Sequence, residues 1–264
     1  MSRVRQARWY AQIVRERGRF FARELSGRRV HGVYRPRGAD VRVVIRHRTS
    51  DVWVLHEVWR SGEYVPPPEA EAILRAARPL RFVELGGHVG LFGALVCARY
   101  PGARITSFEP DPANAAVLRE CIARNGADSR WQLVEACAAA ADGTLRFVQG
   151  RGDESHVAGP GEQADVELPA LDALPQVAGA DFVKLDVEGA EWPILADERF
   201  RADPPRVVLM EWHSVPGAEV DNPKRRAIDA LAPLGYSLHH PPPFAGLPTD
   251  EPLWGAGVVW AWRS

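Results

Sequence analysis

The sequence predicts an α/β fold with a mainly parallel sheet covered by helices on both faces. Two observations carry that expectation. From residue 80 onward, short apolar segments alternate with helical ones, the order that builds parallel strands joined by crossover helices. The first of these strands runs directly into a glycine-rich turn, Gly86-Gly87-His88-Val89-Gly90, and then a helix. A length of 264 residues, 46% of them hydrophobic, suits one large domain, or a domain with a sizeable appendage, around a real core.

Residues 4–25 place Val4, Trp9, Ile13, Val14, Phe20, Phe21 and Leu25 among charged residues, the spacing of one amphipathic helix ending near Gly27. Residues 28–48 alternate about Pro36-Arg37-Gly38 and predict a β-hairpin. A short helix then stops at Pro66-Pro67-Pro68. The expected division is an N-terminal helix-hairpin cap over 1–66 and a main domain over 67–264. Strands are expected at 80–85, 104–109, 131–137, 181–187, 206–212, 235–240 and 256–262. Helices are expected at 68–77, 89–99, 111–124, 190–196 and 222–233. Residues 149–167 are polar, glycine-rich and break the alternation. They read as a long loop, either a lid or a plain surface insertion.

Composition excludes several classes. A net charge of −1 sets up no field for nucleic acid or an anionic membrane. Cys97, Cys121 and Cys137 are far apart and lack CxxC spacing, so they read as reduced, buried thiols. No stretch approaches the roughly 18 apolar residues of a membrane span, and the first residues carry no secretory apolar run. The expectation is a soluble, cytoplasmic protein.

The first chemical signal is Glu84-Leu85-Gly86-Gly87-His88-Val89-Gly90. Gly86 and Gly87 permit a tight turn and close approach of backbone to a ligand, and Gly90 lets the helix lie near the strand. A dinucleotide fingerprint would need glycine where His88 and Leu91 stand. Glu84 suits a ligand with a cationic amino-acid end and would repel a pyrophosphate. A glycine-rich turn with no ligand is the plain alternative. Glu109 ends the next strand, where a carboxylate accepts hydrogen bonds from ribose hydroxyls, and Pro110 and Asp111 open the following helix. Glu135 and its small neighbours end the third strand, leaving room for an adenine ring or merely packing tightly.

The sharpest signal is Asp181-Phe-Val-Lys-Leu-Asp-Val-Glu-Gly-Ala-Glu191. Carboxylates this close repel one another unless a cation, a proton or a hydroxyl sits among them. A helix start enriched in acids accounts for Glu191 and Glu188, but not for Lys184 and Asp186 inside an apolar strand. Here the sequence resembles the FkbM-type methyltransferases, through RTSDVWVLHEVWRSGEY, VELGGHVGLFG, SFEPDPANAAVLRECIARNG and ALDALPQVAGADFVKLDVEGAEWPIL, together spanning about residues 46–212. The resemblance implies a Rossmann-like class I methyltransferase fold with S-adenosylmethionine as donor. It also implies O-methylation, often of secondary metabolites or sugars. It marks Glu84, Gly86, Gly87 and Glu109 as donor-site positions, and Asp186 and Glu188 as active-site positions. Glu84 stands where Asp is commoner, and His88 where Asn is.

The expected function is therefore methylation of a hydroxyl on a small-molecule acceptor. The donor site comprises Glu84, Gly86, Gly87, Gly90, Glu109, Pro110 and Glu135. Asp186, Glu188, Glu211 and His213 gather at adjacent strand ends as base and hydroxyl-orienting groups. His156 is a weaker candidate. This set could hold a divalent cation, but a hard Mg²⁺ prefers more oxygens, so no metal is expected. Trp53, Trp59 and Tyr64 are expected to cap the acceptor side. The rival readings are a nucleotide-binding oxidoreductase and a non-catalytic donor-binding module. Amino-group methylation would want an Asp/Asn-Pro-Pro-aromatic tetrapeptide after the fourth strand, whereas Asp203-Pro204-Pro205-Arg206 precedes the fifth.

Overall fold

In a computed structural model, residues 2–149, 156–158, 161–187, 191–213, 222–241 and 256–263 are described. The central sheet has seven strands. Five are parallel: β3 (Arg81–Leu85), β4 (Arg104–Phe108), β5 (Trp131–Val134), β10 (Phe182–Leu185) and β11 (Val207–His213). β13 (Ala256–Trp262) runs antiparallel to β11, and β12 (Ser237–His239) antiparallel to β13. The spatial order is β12-β13-β11-β10-β3-β4-β5. The chain builds outward from β3 through β4 to β5, then returns to place β10 on the other side of β3. That reversal opens a crevice at the carboxyl ends of β3 and β10, where ligands bind in such sheets. The architecture is Rossmann-like, as the sequence predicts.

Helices α4 (Pro68–Ala76), α5 (Leu91–Arg99) and α6 (Pro112–Arg124) accompany the first three strands. α7 (Leu174–Val177), α8 (Glu191–Ala196), α9 (Glu198–Ala202) and α10 (Pro223–Leu231) accompany the rest. α4 and α6 each begin on a proline, whose missing N–H would have no helical partner there.

Side-chain alternation splits the core between the two sheet faces. On one face Phe82, Phe182, Leu209 and Trp260 share a cluster with Tyr34, Ile45, Leu55 and Tyr64 of the N-terminal segment. On the other, Val83, Leu85, Val183, Leu185 and Met210 pack against Trp192, Phe200 and Leu231. The N-terminal elements thus share one face of the sheet with α4, α5 and α6.

Three sequence expectations need correction. The single helix over 4–25 is two, α1 (Arg3–Ala11) and α2 (Arg17–Leu25). The break exists because residues 13–15 pair with the turn of the hairpin formed by β1 (His31–Tyr34) and β2 (Val43–Arg46). The Arg37 N–H donates to Ile13 O and the Arg15 N–H to Arg35 O, each at 2.8 Å. The short helix α3 (Asp51–His56) widens into a π-helical turn, Glu57–Ser61. Finally, the expected strand 131–137 stops at Val134, and a second sheet follows. It comprises β6 (Cys137–Ala139), β7 (Gly143–Val148), β8 (His156–Val157) and β9 (Val166–Asp172) in the order β6-β9-β7-β8. Within the expected 149–167 loop, residues 156–157 and 166–167 are therefore strand. Val166, Leu168 and Ala170 alternate onto a small core with Phe147, a pattern that the polar residues between them obscure.

Candidate active site at the carboxyl edge

The turn after β3 is shaped by atoms that leave no room. Gly86 has φ +92°, and a Cβ there would lie 1.8 Å from Asp186 O. The Gly86 and Gly87 N–H groups both donate to Phe108 O, at 3.2 and 2.8 Å. Gly90, at φ +82°, would drive a Cβ to 2.5 Å from Leu118 Cδ1 on α6. His88 has φ +45°, a region that residues other than glycine rarely enter.

Glu109 lies just past β4 and is buried. It accepts hydrogen bonds from the Asp111 N–H (3.0 Å) and Asn114 Nδ2 (3.3 Å) on Oε1, and from the His88 N–H (2.7 Å) on Oε2. Burial pushes its carboxyl up to about 8, against the pull of these three donors. Asp111 caps α6, accepting from the Ala113 and Asn114 N–H groups. Pro110 is half-buried between them. Nearby, burial and then the charge of Glu109 push the Cys137 thiol up to about 11, and Ala136 and Ala138 are buried with it.

Across the crevice, charged side chains gather on the face that the N-terminal segment shares. Parallel register sets Lys184 beside Glu84, both buried. Lys184 Nζ donates to Asp186 Oδ2 at 2.5 Å and to Gly86 O at 3.5 Å. Burial alone would lower the Lys184 ammonium, but Asp186, Glu84 and Glu211 outweigh it and raise it. Glu84 accepts from Ser107 Oγ at 2.5 Å, and Ser107 accepts from Trp131 Nε1 at 2.9 Å. Burial pushes Glu84 up to about 7, even though Lys184 and Ser107 pull it down.

Glu211 shares the face of Leu209 by alternation. Its Oε2 accepts from the Tyr64 hydroxyl at 2.8 Å. Tyr64 is buried against Phe92, 5.4 Å between ring centres, and burial, then the charge of Glu211, raises its phenol well above the ordinary value. The Trp260 indole donates to Glu63 O at 2.8 Å, fixing the neighbouring backbone.

Of the residues singled out in the sequence, Glu84, Gly86, Gly87, Gly90, Glu109, Pro110 and Asp186 line this edge around the crevice, with Glu211 at its flank. Glu135 follows β5, with half its side chain exposed, and pairs with Arg119 of α6. Glu188 lies outside the described residues. His213 is the last residue of β11, and its side chain lies outside the described part, as does that of His156. Of the aromatic cap, Tyr64 reaches the site, while Trp53 packs near His56, 6.1 Å between ring centres. Sequence reasoning left Lys184, Arg46, Asp51 and Asn114 out of the site. Lys184 carried a signal, being one of two lysines and lying in an apolar strand. The other three were missed because the contacts that join them to the site, Arg46 with Asn114 and Asp51 with His88, cross between distant segments.

A family model described as the methyltransferase FkbM domain matches residues 84–238, more than half of the chain. The chain belongs to the FkbM methyltransferase family. It is a methyltransferase that uses S-adenosylmethionine, and the edge fits that donor. The glycine cradle has no space for side chains, a buried carboxylate, Glu109, stands just past the second parallel strand, and an acidic crevice suits a sulfonium and an ammonium. No curated protein matches the sequence. Among solved structures, precorrin-6y C5,15-methyltransferase from Geobacter metallireducens is similar over 74% of this chain and 87% of that one, at 16% identity and a TM-score of 0.44. M. jannaschii TYW2 in complex with AdoMet is similar over 90% and 87%, at 12% identity and a TM-score of 0.45. The family assignment rests on the model match and not on these likenesses. Among the described residues, no helix is long and apolar enough to cross a membrane.

Proposed function

We propose that this methyltransferase acts on a hydroxyl oxygen of a small molecule, a secondary metabolite or a sugar. The observation that carries the reading is the pair of carboxylates at adjacent strand ends, Asp186 held by Lys184 and Glu211 held by Tyr64. S-adenosylmethionine supplies a methyl carbon already activated by the sulfonium charge. The chain's own task is to align the acceptor and remove its proton. Alignment can supply about 7–11 kcal/mol of the barrier.

A hydroxyl is a weak nucleophile until a base takes its proton. Asp186 is the poorer base, because Lys184 Nζ donates to it directly, whereas Lys184 acts on Glu211 only through its charge. Glu211 is bonded to a neutral phenol, that of Tyr64. It accepts the acceptor's O–H, aims the oxygen, and takes the proton as the oxygen bonds to carbon. Glu188 and His213 complete this acceptor side. Glu84, Gly86, Gly87, Gly90, Glu109, Pro110 and Glu135 form the donor side, and no metal is required. A net charge of −1 favours a small acceptor over a nucleic acid.

The test is a labelled-donor screen of hydroxylated, amino-bearing and carbon-nucleophile metabolites, with the methylated atom identified by NMR. An oxygen-methylated product supports the reading, and a nitrogen- or carbon-methylated one overturns it. Glu211→Gln should lower turnover about 100-fold while donor binding persists. Chelator-treated enzyme should keep its activity.

A further inference from the structure

We propose that Arg46, Asp51 and His88 are positioning residues for the methyl donor: through them the N-terminal segment holds Glu109 in the orientation that receives the ribose. The inference rests on the donor assignment and is independent of the acceptor's identity.

The contacts form a closed circuit. Asp51 is fully buried. It accepts from the Arg46 N–H at 2.8 Å, from Nε at 2.9 Å and from Nη2 at 2.8 Å. The same Nη2 donates to Asn114 Oδ1 at 2.7 Å. Asn114 passes the constraint on through Nδ2 to Glu109 Oε1, and the His88 N–H holds Glu109 Oε2. His88 Nε2 lies 3.5 Å from Asp51 Oδ1, which closes the loop.

Each member has a physical task. A carboxylate offers about four acceptor sites. Three protein donors set the plane of Glu109 and leave capacity for the ligand. His88 occupies a left-handed conformation that is strained for a non-glycine residue. The contact between its ring and Asp51 helps keep it there, with its N–H on Glu109. Arg46 does for Asn114 what Asp51 does for His88. Nη2 alone reaches both Asp51 and Asn114, and Nε adds a second, parallel bond to Asp51, a forked geometry that a lysine ammonium does not reproduce. Burial alone would raise the Asp51 carboxyl, but Arg46 and His88 outweigh it and hold it below its ordinary value. The centre of the circuit therefore stays charged.

The test is calorimetric titration of S-adenosylmethionine into the full chain and its variants, with thermal melting alongside. Asn114→Ala and Arg46→Lys should each weaken donor binding about tenfold. The donor KM should rise in step, while kcat and the acceptor KM stay within about twofold. His88→Asn keeps the N–H and tolerates left-handed backbone, so it should fold and lose about threefold in affinity. Asp51→Asn should lose most, and its melting curve separates lost binding from lost fold. The proposal is overturned if the variants that melt like the wild type bind the donor within about twofold of it. It is equally overturned if the acceptor KM moves instead of the donor KM. A wild-type chain that binds no donor overturns the donor assignment and this proposal together.

Discussion

The half of the carboxyl edge proposed for the donor and the half proposed for the acceptor are built from different materials. On the donor half, main-chain atoms do most of the work. Gly86 and Gly87 donate through their amides to Phe108, and the His88 and Asp111 amides hold Glu109. On the acceptor half, long side chains do it. Lys184 spans to Asp186 and Gly86, and Tyr64 reaches Glu211 from 147 residues away. A main-chain cradle fails only where a Cβ cannot fit or an anchoring side chain is lost. A cluster of buried charges responds to every change of charge.

Gly86→Ala should have the largest effect. The new Cβ meets Asp186 O and an unfavourable φ together, and the sum is about 5 kcal/mol. Thermal unfolding should show a collapse of the melting temperature. A variant that melts normally and binds donor would erase the distinction between the halves.

Lys184→Met comes next. It leaves Asp186 and Glu84 without their cation, and breaking a buried pair in this way destabilises by about 4 kcal/mol. Adding Asp186→Asn should restore part of the loss. If the double variant is no better than the single one, the acceptor half is not governed by charge balance.

Glu84 gives a pH test at the seam between the halves. Its folded carboxyl keeps its proton up to about 7, while the unfolded chain releases it near 4.5. The raised folded value means that stability is full below pH 4.5 and is lost as pH rises towards 7. The total is about 3 kcal/mol. Donor-free Glu84→Gln, unfolded in urea at pH 5 and pH 7.5, should lose about 2 kcal/mol less than the wild type over the interval, most of that total. Equal losses would mean that Glu84 is ionised in the folded protein at both values.

Tyr64→Phe should have the smallest effect and the most selective one. Removing one hydrogen bond to a carboxylate should lower turnover on the identified acceptor about tenfold and leave donor affinity unchanged. A matching loss of donor affinity would show that the two halves are not separable.

Legibility in the sequence follows the same division. The Gly86–Gly90 turn, Glu109 and the Asp111-Pro112 helix start were readable because each is a local device, a few residues apart, with one strong backbone preference. The strand order was readable because alternating βα units leave few topologies. The break between α1 and α2 was not, since it depends on pairing with residues 35–37. The second sheet was not, because polar and glycine-rich residues mask the alternation in 166–172. Nor was the exposed pairing of Glu135 with Arg119, which only the placement of α6 reveals.

By itself the sequence determined the α/β class and the family. Short-range sterics and periodicity act before the chain has a shape, so they can be read from the residues in order. Only the tertiary structure decided that Tyr64 meets Glu211, that Lys184 is shared by Glu84 and Asp186, and that Arg46 meets Asn114 and Asp51 meets His88 beside the Glu109 carboxylate. Those contacts join residues that packing alone brings together, and their strength comes from the burial that packing creates.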